Sequence, residues 1–240
     1  MSADEDRTVS ALQEQEALWR EQEERRQLLQ MQIEQQRKVK NFQYLNQAAR
    51  KGGVLFTGSS LMEGFPVCEL CRSAGYELAV YNRGIGGYTT DDFLREIHTV
   101  LLDLEPSKVF LNIGTNDLRV WEDGSDWLEH LMGNYEKILQ IARAHLPNTV
   151  FYLMAYYPVN AGVADEQTKS GMLAVRTNGN LKLANEQVSM LAEKYGCRYI
   201  DVNEGLTDEN GDLKAEFTIE GVHLYANAYR VVFENLKRYL

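Results

Sequence analysis

Apolar and polar residues follow two different patterns along the chain, and the pattern changes near Gly52. From about residue 10 to residue 40, Glu, Gln, Arg, Leu and Met predominate, all of which favour helix. All 18 glycines and all four prolines lie at or after Gly52. Because these residues most often form turns, we expect residues 1–51 to form one long polar helix and residues 52–240 to form a compact domain.

The apolar positions of the predicted N-terminal helix do not follow a strict heptad. Steps of seven from Leu12 reach Trp19, Arg26, Ile33 and Lys40, so charged side chains interrupt the stripe. A parallel coiled coil is therefore not indicated. Two interpretations remain open, because a mostly polar helix needs either a partner surface or many i,i+4 charge pairs. The helix is either an arm that forms a homo-oligomer with another subunit or a solvated helix lying on its own domain.

After Gly52, short β-rich apolar runs are separated by stretches with helical periodicity. Five runs are predicted as strands: Val54–Thr57, Ala79–Asn82, Lys108–Ile113, Thr149–Met154 and Arg198–Val202. Spacings of about 25–50 residues are too long for hairpins and suit parallel strands joined by helical crossovers. Helices are predicted over residues 135–144, 181–195 and 225–240. The pattern therefore predicts an α/β fold, with a five-stranded parallel sheet covered by helices on both faces.

Charge and hydropathy exclude several classes of partner. The formal net charge of −10 argues against non-specific binding to nucleic acid or to an anionic membrane, because both depend on a basic surface. No apolar run approaches the roughly 18 residues of a membrane span, and the first eight residues, MSADEDRT, lack the basic and apolar regions of a signal peptide. We expect a cytoplasmic protein with no nucleic-acid or membrane partner.

The three cysteines cannot all be paired with one another. Cys68 and Cys71 form a CxxC pair, but the chain lacks the second CxxC or the histidine pair that would complete a closed zinc site. We interpret these cysteines as buried thiols on a helix and expect neither a metal nor a cofactor.

Residue types suited to acyl transfer follow four of the predicted strands, at the edge where open parallel sheets carry their functional groups. The sequences are Gly58-Ser59-Ser60, Gly84-Ile85-Gly86-Gly87, Gly114-Thr115-Asn116-Asp117 and Glu220-Gly221-Val222-His223. They supply a hydroxyl, a flexible backbone, a carboxamide and an imidazole. A serine nucleophile needs a base, the base needs an acid to orient it, and the tetrahedral oxyanion needs preplaced donors.

These four blocks resemble those of the SGNH hydrolases, the GDSL-type esterases and lipases, and the resemblance covers residues 52–240. The resemblance implies Ser60 as the nucleophile and His223 as the base. It also implies an oxyanion hole formed by Ser60, Gly87 and the Asn116 side chain. The fold it implies is the three-layer α/β/α, flavodoxin-like fold of that family.

The sequence departs from the family pattern at two positions. Ser59 replaces the usual aspartate of the nucleophile block, and Glu220 stands three residues before His223 where the family has aspartate. We expect Glu220 to orient His223, and the alternative is a dyad in which a backbone carbonyl or water does so. Each block alone has a structural explanation, such as a helix cap or a phosphate-binding loop. Four blocks in order, at four strand ends, favour catalysis.

The sequence indicates the substrate less closely than it indicates acyl transfer as the reaction. Several residues that follow the strands are candidate substrate contacts: Tyr88, Arg119, Trp121 and Tyr157, with Trp127 and Tyr156 beside them. Ordinary loop packing explains their positions equally well. The polar loop 160–176 is a candidate lid. We expect a short acyl ester, specifically an acetyl ester of a carbohydrate or other small molecule. The alternatives are a lysophospholipase or platelet-activating-factor-acetylhydrolase-like lipid esterase, and a catalytically idle scaffold for binding or assembly.

Overall fold

Five strands form one parallel sheet in this computed structural model, which describes residues 3–240 except for the side chains of residues 3–14, 16, 17 and 24. The strands are β1 Val54–Gly58, β2 Val80–Asn82, β3 Lys108–Asn112, β4 Val150–Met154 and β5 Arg198–Ile200. Their order is β2-β1-β3-β4-β5, and all four pairings are parallel. The predicted flavodoxin-like fold is confirmed.

Helices connect the strands and flank the sheet. The helices in the described part of the chain are α1 Ala3–Ala48, α2 Ser60–Glu63, α3 Val67–Ser73, α4 Thr90–Arg95, α5 Ile97–Val100, α6 Trp127–His145, α7 Glu166–Ser170, α8 Asn178–Lys194 and α9 Ala226–Leu236. The three helices predicted after Gly52 correspond to α6, α8 and α9. The last is shorter than predicted, because a 3₁₀ turn, Lys237–Tyr239, follows it.

Both faces of the sheet are buried under helices. On one face, α3 and α9 cover Phe56, Phe110 and Tyr152, which lie in register on β1, β3 and β4. Their rings stack with centroid separations of 4.6 and 4.7 Å. On the opposite face, α6 and α8 pack together, and Arg143 of α6 lies over the ring of Phe151. Burial on both faces explains why the central strands are apolar throughout rather than alternating.

The chain packs as two units, of which one ends at Asn41 and the other runs from Phe42 to Leu240. The last turns of α1 belong to the larger unit. Asn46 Nδ2 donates to the Thr99 carbonyl at 2.8 Å, and Arg83 Nε donates to Asn46 Oδ1 at 2.9 Å. Helical residues 42–48, before the predicted boundary at Gly52, therefore pack with the compact domain.

In the first unit, α1 carries exposed apolar side chains. Six of them are between 40% and 66% exposed: Leu18, Trp19, Leu28, Leu29, Met31 and Ile33. Ion pairs one turn apart, Arg26–Glu23 at 2.6 Å and Arg37–Glu34 at 2.8 Å, support the helix. Across the described residues, no helix combines the length and the apolar character that a membrane span needs.

Candidate active site

Strand β1 and helix α2 place Ser60 at the carboxyl edge of the sheet. Ser60 is the first residue of α2 and follows the N-cap, Ser59. Gly58 has a φ of +152°, and a Cβ there would lie 1.9 Å from the Asn112 carbonyl oxygen, so only glycine allows β1 and β3 to pair up to this point. As the first N–H of a helix, the Ser60 N–H has no carbonyl of its own helix to bind.

The imidazole of His223 lies on a closed turn, residues 218–224. The two ends of the turn form an antiparallel bridge, and the Thr218 hydroxyl donates to the His223 carbonyl at 2.9 Å. Within the turn, Gly221 has a φ of +98°, and a Cβ there would lie 2.3 Å from the carbonyl oxygen of Asn160. The turn therefore requires glycine at this position.

The structure brings Ser60, His223 and Glu220 together. Ser60 Oγ lies 2.9 Å from His223 Nε2, and Glu220 Oε1 is hydrogen-bonded to His223 Nδ1. The same carboxylate oxygen accepts the His223 backbone N–H at 3.3 Å, so the turn accommodates the longer acid. The His223 and Glu220 side chains are 33% and 24% exposed. This arrangement allows a histidine to take a serine proton while a carboxylate stabilises the imidazolium.

Asn116 lies on the 3₁₀ turn Thr115–Asp117, which follows β3 and so stands beside the end of β1. Asn116 Nδ2 donates to the Tyr88 carbonyl at 2.9 Å, and Asn116 Oδ1 accepts from Arg176 Nη2 at 2.8 Å. A carboxamide has two N–H donors, so the second can bind a substrate oxygen.

The glycine turn after β2 lies against α2. The Gly86 N–H donates to the Glu63 carboxylate at 2.5 Å, and a Cβ on Gly86 would lie 3.9 Å from Ser60 Cβ. Gly87, the next residue, has a φ of +75°. Because a carboxylate engages the Gly86 N–H, the Gly87 N–H is the candidate oxyanion donor of this turn.

Asp117, next to Asn116, is buried and belongs to a separate cluster with the exposed Asp91 and the half-buried His130. It accepts hydrogen bonds from the Thr90 N–H and hydroxyl, and burial raises its pKa to about 6. His130 Nε2 lies 2.7 Å from Asp91 Oδ2, and donor atoms of Asp91, Asp117 and His130 all lie within 4.8 Å of one another. Such a set can hold a cation. Each of the three side chains bonds to protein groups, so we describe the cluster as a hydrogen-bonded network.

The four predicted substrate contacts fall into two groups. Arg119 is exposed, and its guanidinium lies 4.1 Å from the Trp121 ring centroid. The Trp121 ring lies 4.0 Å from the His130 ring, at an interplanar angle of 32°. In contrast, Tyr88 and Tyr157 are only 4% and 2% exposed, so neither ring reaches the surface. Tyr88 contributes to the site through its carbonyl, which holds Asn116.

Sequence reasoning missed two residues that build the site. Asn82, at the end of β2, donates to the carbonyls of Met62 and Phe65 at 2.6 and 3.1 Å and accepts the Gly84 N–H at 2.9 Å. A polar residue ending an apolar strand was the available signal. Arg176, 5% exposed, gives no such signal, because its partner in the third block is 60 residues away.

The three cysteines form no disulfide. Cys71 is buried, but Cys68 is exposed, so the expectation of buried thiols is wrong for Cys68. Burial raises the pKa of Cys71 to about 11 and also raises the pKa of Cys68. The thiolate form, which carries the reactivity of redox and catalytic cysteines, is therefore disfavoured at both positions.

The polar loop predicted as a lid contains helix α7. Most of its side chains are exposed, whereas Asn160, Ala164, Leu173 and Arg176 are buried. Movement of this loop over the site stays a prediction.

Comparison with known proteins places the chain among hydrolases. The sequence model of the GDSL-like lipase/acylhydrolase family matches residues 56–231, which include all four blocks. Among curated proteins, none matches the sequence significantly. A solved structure from Streptococcus pneumoniae, provisionally described as a platelet activating factor, is 31% identical; the match covers 89% of this chain and 96% of that one, with a TM-score of 0.76.

Two more distant structures share the fold. A GDSL-like lipase from Bacteroides thetaiotaomicron is 20% identical, with coverage of 84% and 96% and a TM-score of 0.67. A catalytic mutant of an acetylxylan esterase from Geobacillus stearothermophilus is 14% identical, with coverage of 79% and 94% and a TM-score of 0.60. The family match and the agreement in fold lead to one conclusion: the chain belongs to the GDSL-like lipase/acylhydrolase family.

Proposed function

We propose that this chain is a serine esterase that hydrolyses acetyl and other short acyl esters of a carbohydrate or another small molecule. The observation that carries the proposal is the position of His223, whose two ring nitrogens face Ser60 Oγ at 2.9 Å and the Glu220 carboxylate. Family membership supports acyl hydrolysis as the reaction class.

In the acylation step, Ser60 Oγ attacks the ester carbonyl carbon while His223 Nε2 takes the hydroxyl proton. The Glu220 carboxylate holds Nδ1 and stabilises the imidazolium. The oxyanion of the tetrahedral intermediate accepts hydrogen bonds from the N–H groups of Ser60 and Gly87 and from Asn116 Nδ2.

Collapse of the intermediate breaks the bond to the alcohol, which leaves with the proton from His223 and gives acyl-Ser60. In the second half, water gives a proton to His223 and attacks the acyl carbon. The same donors bind the second oxyanion, and the acid leaves as the proton returns to Ser60 Oγ.

The first test compares p-nitrophenyl acetate hydrolysis by the wild type and by Ser60→Ala. We expect the variant to lose on the order of a thousandfold or more in kcat, and a fluorophosphonate probe to label the wild type at Ser60. Ser59→Ala is the matched control, because the Ser59 hydroxyl is buried and makes no hydrogen bond in the described part of the chain. Equally slow wild type and Ser60→Ala, with no labelling, would favour the idle scaffold.

A second substrate class has its own support. Similarity to the Streptococcus pneumoniae protein favours a platelet-activating-factor-acetylhydrolase-like lipid esterase. The acetylxylan esterase, which shares the fold, supports the carbohydrate ester proposed above. A panel of acetylated xylo-oligosaccharides, platelet-activating factor and p-nitrophenyl esters of increasing acyl length separates the two. We expect the highest kcat/KM on an acetylated sugar, and preference for the lipid would overturn that assignment.

For the N-terminal helix, we propose that the residues up to Asn41 pair with a second copy of the chain. The support is the set of six exposed apolar side chains between Leu18 and Ile33. Deletion of residues 1–41 spares Asn46, which packs in the larger unit. The deletion should lower the molar mass measured by light scattering and leave esterase activity within about twofold, since all candidate catalytic residues lie in the larger unit. An unchanged mass would favour the solvated helix.

A further inference from the structure

Arg176 lies behind the Asn116 carboxamide, at the end of loop 160–176, and is buried. Its Nε donates to the Thr115 carbonyl at 2.9 Å, and its Nη2 donates to Asn116 Oδ1 at 2.8 Å. One guanidinium thus holds both the main chain and the functional side chain of the turn that follows β3. Surface ion pairing does not explain this position, because the side chain is withdrawn from solvent.

The Asn116 side chain lies between an obligate donor and an obligate acceptor. The Arg176 guanidinium can only donate, and the Tyr88 carbonyl can only accept. Rotating the carboxamide by half a turn would face N–H groups towards the guanidinium and oxygen towards the carbonyl, so both hydrogen bonds would be lost. These two partners therefore determine which end of the carboxamide carries the donors at the site.

The buried guanidinium keeps its charge. Burial lowers the pKa of Arg176 to about 10, while the negative charges of Asp117 and Glu220 act in the opposite direction, so the side chain is protonated at neutral pH. A positive charge on the oxygen side of a carboxamide polarises the group and strengthens its N–H as a donor.

We propose that Arg176 is a positioning residue of the oxyanion hole, which orients and polarises the Asn116 carboxamide so that an N–H faces the oxyanion formed at Ser60. The inference rests on the proposed function, because that function gives this N–H a substrate oxygen to bind. Arg176 acts through Asn116 and touches no reacting atom.

A double-mutant cycle tests the proposal. We expect Arg176→Met, which removes the donors and keeps most of the aliphatic stem, to lower kcat by about 10- to 100-fold with KM within about threefold. Asn116→Ala alone should lower kcat by about 100- to 1000-fold. In the Asn116→Ala background, Arg176→Met should cause no further loss, since the group it orients is gone. If the two effects multiply instead, the proposal is overturned.

Two further variants separate positioning from folding. Arg143 is the matched control: it donates to the carbonyls of Tyr195 and Thr149 at 2.8 and 3.0 Å and lies over the Phe151 ring, near the amino ends of β4 and β5. Arg143→Met should lower Tm while leaving kcat within about twofold. Arg176→Lys keeps the charge and serves if the methionine variant does not fold. It should lower kcat by about 3- to 30-fold, again only when Asn116 is present.

The same experiments distinguish failure of the inference from failure of the proposed function. A wild type that neither hydrolyses the ester panel nor reacts with the fluorophosphonate refutes the esterase assignment and this inference with it. A wild type that is active and labelled, with independent effects of Arg176→Met and Asn116→Ala on kcat, refutes only the role of Arg176.

Discussion

Two of the histidine–carboxylate pairs in the larger unit, Glu220–His223 and Asp91–His130, differ in the nitrogens that they use. In the first pair, Nδ1 of His223 binds Glu220, and Nε2 lies 2.9 Å from Ser60 Oγ. In the second pair, Nε2 of His130 lies 2.7 Å from Asp91 Oδ2. In His223, the carboxylate and the Ser60 hydroxyl therefore lie on different ring nitrogens. In His130, the carboxylate lies on Nε2, the nitrogen that faces the serine in the first pair.

The surroundings of the second pair make it structural. Asn134 Nδ2 lies 3.2 Å from the same His130 Nε2, and Trp121 covers the imidazole at a centroid distance of 4.0 Å. An acid beside a histidine is thus insufficient for proton transfer. The hydroxyl and the carboxylate must lie on different nitrogens, and the face towards the substrate must be open.

The 3₁₀ turn Thr115–Asp117 carries both a candidate oxyanion donor, Asn116, and a member of the second cluster, Asp117. The carboxamide of Asn116, the candidate oxyanion donor for the first pair's site, is held by Tyr88 and Arg176. Asp117, the next residue, accepts hydrogen bonds from Thr90 within the second cluster. If the proposed function is correct, adjacent side chains of the turn serve catalysis and stability separately, and substitutions at the two clusters should affect different measurements.

The largest expected contrast is between His223→Ala and His130→Ala. Removing the base should lower kcat on p-nitrophenyl acetate by roughly a thousandfold or more, because Ser60 loses its proton acceptor. Removing His130 should leave kcat within about threefold and lower Tm, since the imidazole packs against Trp121 and binds Asp91. Comparable losses of kcat in the two folded variants would contradict the assignment of His223 as the base and of His130 as a structural residue.

The next contrast concerns the carboxylates. Glu220→Gln removes the charge that orients and stabilises the imidazolium, so we expect a loss of kcat of about 100-fold or more. Asp91→Asn is the matched control and should leave kcat nearly unchanged. Steady-state kinetics measures kcat for both variants, and circular dichroism checks that each variant is folded. Nearly full activity of Glu220→Gln would replace the triad with a dyad oriented by another group.

The smallest expected effect is on the pH dependence of stability at Asp117. Burial raises its pKa from 3.8 to about 6 in the folded state, so the folded protein takes up this proton before the unfolded chain does. This contribution to stability is full below the unfolded pKa and is lost as pH rises through the folded pKa. Relative to Asp117→Asn, the wild type should gain about 1 kcal/mol of unfolding free energy between about pH 7.5 and about pH 5. Urea unfolding at both pH values measures the gain, and a constant difference would contradict it.

Much of the fold followed from local pattern. The five strands are continuous apolar runs because the sheet is covered on both faces, and their spacing required parallel crossovers. The observed strands lie within two residues of the predicted ones. The boundary near Gly52 was less informative, because glycine and proline mark where turns occur. They do not reveal that the preceding turns of α1 pack against Thr99 and Arg83.

The parts of the candidate site that need particular residue types, in a fixed order along the chain, were predictable from the sequence. The parts that depend on contacts between residues far apart in the sequence were not. Ser60, His223 and Glu220 lie together as the blocks implied. The roles of Arg176 and of the Tyr88 carbonyl arise from contacts 60 and 28 residues apart, which no local pattern contains. Sequence alone also could not show that the Tyr157 ring is buried in the core.

The closed turn at residues 218–224 has a mechanical consequence. Acid and base share one segment, and the Thr218 hydroxyl, which bonds to the His223 carbonyl and to the Gly221 N–H, ties the segment together internally. When the segment shifts as a body, the Glu220–His223 geometry is conserved, and only the gap to Ser60 changes. A substitution that displaced this segment as a body should therefore change the His223 Nε2–Ser60 Oγ distance more than the hydrogen bond between Glu220 and His223.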